Sequence, residues 1–328
     1  MSMPIAFIIC TEAGMLEQES LLLVQSIRRF CGSLKDTPIF SFQVREHKQI
    51  SEQTSELLTS LGVIHEEKIL NFEYPEYPMA NKPLLCAEME KSIDAEILVF
   101  LDSDIVFFSE PKEFLLPFGY DIGVRPEHKK NIGSAGEGDS NESFWNEIYQ
   151  LVGVKNPRFV TSTVDQKKMR TYWNAGVIAV KRASGIFIAW KNNFEKIINS
   201  EIRPLGITDT TYYLDQVSLA ATTDALESSV WCFSNSYNYP LNFHNELPEP
   251  KQCKSFSEIV CIHDHFFRQR SKDRFKGRIW VKLLRTLKNF DQTSPEYQWL
   301  YHYLSENGPQ SENLIQDFFE FSYRFLSV

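Results

Sequence analysis

Short apolar runs alternate with amphipathic stretches over the first hundred residues. Residues 5–10 are almost wholly apolar, and 16–30 carry Leu16, Leu23, Ile27 and Phe30 at helical spacing. Residues 38–44 read as a strand. Ser51 then starts a helical stretch ending at Leu61, Gly62 breaks it, and 63–65 resume strand character. Asn81-Lys82-Pro83 opens a helix to about Lys91, with the proline in the first turn, where its missing N–H is harmless. Residues 97–101 follow, short and apolar on both faces, as a central parallel strand should be. This β-α-β-α-β order predicts an α/β fold: a mostly parallel central sheet flanked by helices, with ligands bound at the carboxyl ends of its strands.

Further along, the polar, Gly- and Ser-rich tract 128–143 is the longest loop-like segment, either a surface linker or a lid over a site. Helical spacing returns over 144–152, 184–198 and 211–222, with strand-like runs at 177–180, 230–233 and 259–262. Residues 293–328 carry Tyr, Phe and Leu at helical spacing. They predict two helices that close one side of the fold or form the contact of a homodimer. The chain shows no internal repeat.

The stretch Ile97-Leu98-Val99-Phe100-Leu101-Asp102-Ser103-Asp104-Ile105-Val106-Phe107-Phe108 interrupts an apolar run with two carboxylates. A carboxylate taken out of water is strongly penalised unless it is paired, and a second one two residues away makes ionisation harder still. A positive partner is therefore expected here. On an extended chain, residues i and i+2 point to the same side, so Asp102 and Asp104 can both approach one ion. Oxygen ligands suit magnesium and manganese, which keep substrate phosphates in the rest of their shell. The plainer alternative is an Asp-rich turn whose side chains cap backbone amides.

Composition narrows the picture. A chain of 328 residues can bury a large core, in one domain or two coupled ones. Hydrophobic content of 43% with 23% charged residues is that of a globular protein, and a formal charge of −9 argues against a nucleic-acid partner. No apolar run is long enough to span a membrane, and residues 3–10 lack the basic start of a signal peptide. The six cysteines form no C-x-x-C pair, which predicts free thiols, a cytoplasmic setting and no structural zinc. Against the acidic background, 268–288 holds nine Lys or Arg and the single acid Asp273, a local charge of +8. Its second half, 278–288, is amphipathic at helical spacing. The stretch reads as a contact for anionic phosphate, in a nucleotide or at a peripheral membrane surface, or as a solvated face packed on the acidic remainder.

Three further groupings carry chemistry. Tyr172-Trp173-Asn174-Ala175-Gly176 leads into an apolar run. Its glycine admits a close ligand or backbone, Asn174 offers donor and acceptor to hydroxyls, and the aromatics can stack on a sugar; Asn-x-Gly also makes ordinary turns. Asp215-Gln216, at a helix start, sets a carboxylate beside an amide, which suits vicinal hydroxyls or an electron-poor carbon, while Asp165-Gln166 is a chance second copy. At 260–265 an apolar strand ends in His263-Asp264-His265, both imidazoles on one side. Either can complete the shell begun by Asp102 and Asp104, and a nitrogen ligand favours manganese over magnesium. Arg268 and Arg270 follow closely enough to neutralise a diphosphate.

These pieces together resemble the metal-dependent nucleotide-sugar glycosyltransferases of the GT-A (Rossmann-like) fold, in particular the glycogenin-like family 8. In that family a strand leads into Asp-x-Asp, a later strand begins with Asn-x-Gly, an Asp-Gln follows, and a strand-end His supplies the last protein metal ligand. The same order is reproduced by Asp102/Asp104, Asn174/Gly176, Asp215/Gln216 and His263, from residue 5 to about 265, roughly four-fifths of the chain. The resemblance implies a transferase domain over 1–267, its nucleotide-binding half at 1–110 and its sugar and acceptor half at 111–267, followed by a basic, helical extension over 268–328. It implies that Thr11 contacts the base, that Lys82 lies near the sugar-phosphate, and that Ser103 and Gly176 line the donor site. Asn174, Asp215 and Gln216 would hold the transferred sugar. The family's His-x-x-Gly-x-x-Lys-Pro-Trp does not follow His263, so Arg268 or Arg270 stands in as the diphosphate clamp, and the metal ligand is His263 or His265.

The expected activity is transfer of a sugar from a nucleoside diphosphate, UDP favoured, to a hydroxyl of a glycan, lipid-linked or protein acceptor, with Mn2+ or Mg2+ as cofactor. The family resemblance favours retention of configuration. Two rival classes are a nucleotidyltransferase or sugar-phosphate pyrophosphorylase, and a non-catalytic carbohydrate-binding protein on the same scaffold. Against the first, Cys10-Thr11-Glu12-Ala13-Gly14 after the first strand is acidic, with a single glycine where a phosphate loop would need several.

Overall fold

The apolar runs assemble into one sheet. The computed structural model describes residues 3–204, 213–263, 286–287 and 290–307. Strands β1 (Met3–Cys10), β2 (Ile39–Gln43), β3 (Val63–Glu67) and β4 (Ala95–Leu101) are joined by further strands β5 (Ile105–Phe107), β6 (Ile122–Pro126), β7 (Phe159–Thr161), β8 (Lys168–Arg170), β9 (Trp173–Lys181), β10 (Val230–Cys232) and β11 (Cys261–His263). Seven of them form the central sheet in the order β10-β6-β9-β4-β1-β2-β3. Only β9 runs against the rest, pairing antiparallel with β4 and β6. This is the mostly parallel, helix-flanked α/β sheet that the sequence pattern predicts. β5 and β11 form a separate antiparallel ribbon, and β7 and β8 another.

β4 shows why the sheet needs two covering layers. Its side chains alternate between faces, and both sets are buried. Leu98 and Phe100 join one core with residues of α3 (Asn81–Ser92), α4 (Glu142–Val152), α5 (Ile186–Ile198) and α6 (Leu214–Ala225). Ile97, Val99 and Leu101 join the other, with Leu23, Val24 and Ile27 of α1 (Met15–Phe30) and Leu58 of α2 (Glu52–Ser60). Ser51 caps α2 by accepting from the Thr54 amide at 3.2 Å, as the helix-start signal indicates. A third cluster gathers Phe256, Ile259 and Ile262 with Tyr297 and Leu300 of α7 (Pro295–Asn307). Trp299 of α7 packs edge-on against Phe30 of α1, with ring centroids 5.2 Å apart. The apolar face of the first C-terminal helix is thus spent inside the fold, while the second predicted helix falls largely in 308–328, outside the described residues.

The structure departs from the sequence pattern in three places. The Asp102–Asp104 segment is not extended: β4 stops at Leu101, a turn closed by the Ile105 amide on the Asp102 carbonyl (3.2 Å) intervenes, and β5 begins. The two carboxylates are brought together by that turn and not by strand alternation. Asn174 and Gly176 lie within β9, since that strand starts at Trp173, four residues before the apolar run, and the Asn174 Oδ1 accepts from the Gly176 amide at 2.9 Å. β6, which supplies a sheet position, is absent from the hydrophobic pattern. Its five residues Ile-Gly-Val-Arg-Pro include a charged side chain, yet Arg125 is buried because its guanidinium donates to the carbonyls of Asn235 and Tyr237.

Glu17, in the first turn of α1, ties that helix to the segment entering α2. Its carboxylate accepts from the Gly14 amide (3.0 Å), the Ser51 amide (2.9 Å) and the Ser51 hydroxyl (2.7 Å). Desolvation would raise its pKa, but hydrogen bonding with Thr54, Ser51 and Gly14 outweighs it and lowers the value from 4.5 to about 2. A folded-state value below the unfolded one means the stabilisation is complete above the unfolded pKa and is lost as pH falls through the folded one. Glu17→Gln is expected to lower stability at pH 7 by about 1–2 kcal/mol. Chemical denaturation of both proteins at pH 7 and pH 3 checks the cause: the gap should narrow at pH 3, and an unchanged gap would rule out the carboxylate charge.

Candidate functional site

The ends of β1, β4 and β6 and the start of the reversed strand β9 meet at one edge of the sheet. A cleft of about 690 Å³ opens there. Three of these strand ends deliver polar groups to it: Asp102 and Ser103 after β4, Glu127 after β6, and Asn174 near the start of β9. Lys82 comes from the first turn of α3, and Asp215 with Gln216 from the first turn of α6. His263 reaches the same place from the end of β11, because β11 pairs with β5 so that His263 lies opposite Ile105, the residue after Asp104.

Asp102, Asp104 and His263 can each present a ligand atom, and these atoms all lie within 4.8 Å of one another. The His263 Nε2 is 3.2 Å from an Asp104 oxygen and 3.5 Å from an Asp102 oxygen. Two carboxylate oxygens and one imidazole nitrogen make a mixed donor set suited to manganese or magnesium. Burial disfavours the charged imidazole, but Asp104 and Asp102 outweigh it and raise the pKa of His263. A divalent cation would compete with that proton for Nε2.

Lys82 bridges the acid pair to the opposite wall, its ammonium 2.8 Å from Asp102 and 3.3 Å from Asp215. Desolvation pulls its pKa down, yet Asp102, Asp215 and Asp104 together hold it above the usual lysine value. Burial raises Asp215, with Lys82 opposing. Glu127 is also raised, mainly by burial, against hydrogen bonds from the His128 amide (3.0 Å) and the Asn174 side-chain amide (3.1 Å). The buried Gln216 Oε1 meets no hydrogen-bond donor among the described residues, so it offers an acceptor to a bound hydroxyl.

Two residues expected at this site are engaged by other side chains. Thr11 is fully buried and does not line the cleft: its hydroxyl donates to Ser20 (2.9 Å) and accepts from Ser41 (2.8 Å), so it has no free hydrogen for a base. Gly176 faces the His263 side chain. A Cβ at position 176 would lie 2.3 Å from the imidazole Cε1 and 2.6 Å from Nδ1, so only glycine leaves room for the ring. Ser103 does line the cleft, and its hydroxyl donates to the buried Glu19 of α1 at 3.0 Å. His265, Arg268 and Arg270, with almost all of 268–288, lie outside the described residues. The tract 128–143 is a loop up to the start of α4 at Glu142, tied down by Lys130 to Asp139 (2.6 Å), and its His128 and Asn131 line the cleft.

Glu127 is the main site residue that sequence reasoning misses. It follows β6, the strand that hydrophobic pattern does not reveal; a carboxylate just after Ile-Gly-Val-Arg-Pro was the available signal. Arg45 also lines the cleft, but Glu12 holds its guanidinium at 2.6–2.9 Å and neutralises it.

A parallel-strand edge carrying a polar cleft walled by carboxylates, amides and one bridging lysine is the layout of an α/β enzyme. The particular class comes from comparison: the chain matches the family model of the Rhodobacterales glycosyltransferase domain over residues 7–227, about two thirds of its length, and belongs to that family. Its family is one of glycosyltransferases, which counts against the nucleotidyltransferase reading. No curated protein matches it. Similar solved structures include the WbbM bifunctional glycosyltransferase (13% identity, TM-score 0.48, covering 86% of this chain and 52% of that one). GlyE of Streptococcus pneumoniae TIGR4 is 11% identical at TM-score 0.48, covering 93% and 64%. The galactosyltransferase LgtC, solved with donor and acceptor sugar analogues, is 13% identical at TM-score 0.48, covering 90% and 99%. The chain thus spans about half of the first of these and under two thirds of the second.

Gly176→Ala is expected to push the imidazole away from the acid pair at an overpacking cost of about 1–3 kcal/mol. Titration with manganese should show the variant losing divalent-cation binding to the same degree as His263→Ala, and wild-type binding would show that the ring does not need this space.

Proposed function

We propose that the protein transfers a sugar from a nucleoside diphosphate, UDP favoured, to an acceptor hydroxyl, with Mn2+ or Mg2+ held by Asp102, Asp104 and His263. The observation that carries this reading is the convergence of those three side chains at the tip of β4, beside Lys82 and Asp215. The bound cation would neutralise the charge that develops on the departing diphosphate.

The chain's own residues take the remaining tasks. Asp102 and Asp104 would hold the ion, and Lys82, within reach of Asp102 and Asp215, adds positive charge where the phosphate and sugar join. Asp215 faces the sugar and stabilises positive charge on its anomeric carbon. Asn174, fixed by its bond to Glu127, and Gln216, with its unengaged oxygen, bind sugar hydroxyls. Ser103 steadies the turn between the two aspartates through Glu19. The resemblance to family 8 favours retention, with the leaving phosphate helping to deprotonate the acceptor. The acceptor is a glycan, a lipid-linked sugar or a protein. The same reading places the reaction in the cytoplasm, with the +8 stretch 268–288 as a peripheral contact for an anionic membrane and the C-terminal residues as a dimer contact.

Asp104→Ala is expected to reduce manganese-dependent transfer or donor hydrolysis by about 10²–10³-fold; unchanged turnover would remove the metal from the mechanism. A screen of nucleotide sugars for manganese-dependent hydrolysis should single out uridine diphosphate donors, and hydrolysis confined to another base would overturn the donor assignment.

A further inference from the structure

His263 has a second ring nitrogen, and what it meets sets how the first one faces the acid pair. The His263 Nδ1 lies 3.1 Å from the Oδ1 of Asn238. With that oxygen accepting the Nδ1 proton, the Nε2 lone pair is the one turned towards Asp102 and Asp104. Asn238 is fully buried and lies off the cleft lining, so it is not placed to touch a substrate.

Its backbone shows a second peculiarity. Asn238 has a φ of 44°, in the left-handed region where glycine is the unstrained residue and asparagine the best tolerated of the others. A buried side chain kept at such a position points to work done by that side chain. The surrounding bonds hold the backbone there: the Asn238 amide donates to the Cys261 sulfur at 3.2 Å, the Tyr239 amide to the Cys261 carbonyl at 2.8 Å, and the Val260 amide to the Ser236 carbonyl at 2.9 Å. Arg125 of β6 braces the same segment by donating to the carbonyls of Asn235 and Tyr237. The segment 235–239 is therefore clamped alongside 260–262, the residues leading to His263.

We propose that Asn238 is a positioning residue for His263, fixing the imidazole so that Nε2 serves as the nitrogen ligand of the site formed with Asp102 and Asp104. This rests on the metal-dependent reading above. Manganese binding to the full-length chain, measured by calorimetry without donor or acceptor, tests it with two variants chosen for the backbone. Asn238→Gly removes the acceptor while relieving the left-handed strain, and Asn238→Asp keeps an oxygen in place.

Asn238→Gly should weaken manganese binding about 10–100-fold, with the thermal midpoint of the metal-free protein kept, while Asn238→Asp should restore binding close to wild type. In a His263→Ala background, Asn238→Gly should have no further effect, since both changes remove the same ligand geometry. Wild-type affinity in Asn238→Gly, a failed rescue by Asn238→Asp, or an additive loss in the His263→Ala background would overturn the positioning role. A wild-type chain that binds no manganese would instead remove the metal reading, and this proposal with it.

Discussion

The structure depends on placing two carboxylates at the dry end of its central strand. Asp104 is almost completely buried, and Asp102 sits beside it at the tip of β4. Charges in that position need positive partners close by, because the low-dielectric surroundings penalise each ion alone far more than a compact cluster. The protein supplies Lys82 from α3 and His263 from β11, and the distances of 2.8–3.5 Å show how tightly they are drawn in. Elements remote in sequence are thereby pinned to one point, and the cleft is the result.

That pinning explains otherwise odd features of the scaffold. The reversal of β9 brings its first residues, and not its last, to the carboxyl edge of the sheet, so Asn174 meets Glu127 across the β6–β9 pairing. Gly176, two residues on, is then directly beneath the incoming imidazole, and the Asp102 amide continues the β4–β9 ladder by donating to the Gly176 carbonyl at 2.8 Å. One short segment of β9 thus serves the turn of the acid pair with its backbone and His263 with its lack of a side chain.

How much of this the sequence reveals differs by element. Strands β1 to β4 and helices α1 to α3 are legible because short apolar runs alternate with helical stretches, some of them bounded by a helix-start or helix-stop residue such as Ser51 or Gly62. The acid pair is legible because charge inside an apolar context is costly and so rarely idle, and Asp215 because its Asp-Gln takes the place the family 8 order gives it. β6 is not legible, because its burial is purchased by tertiary bonds to Arg125 that no local pattern encodes. Glu127 and Asn238 are hidden for the same reason: their significance lies in partners 47 and 25 residues away in sequence. Thr11 shows the converse, a residue just past a strand end whose hydroxyl is engaged by its neighbours Ser20 and Ser41, which the sequence pattern does not reveal.

Arg125 shows how the approach to His263 is kept rigid. A buried guanidinium held by carbonyl oxygens, with a single 3.4 Å contact to the Asn235 side chain, gains less than one paired with a carboxylate. Desolvation accordingly lowers its pKa from 12.5 to about 10, which leaves it charged at neutral pH. A neutral hydrophobic side chain would fill the space without that penalty, but it could not hold the turn at 235–237 by its carbonyls. The charge is retained where the backbone at 235–237 has no strand partner of its own, in the approach to Asn238. Stability is given up at one strand so that a loop keeps a fixed path, and the imidazole beyond it inherits that fixed path.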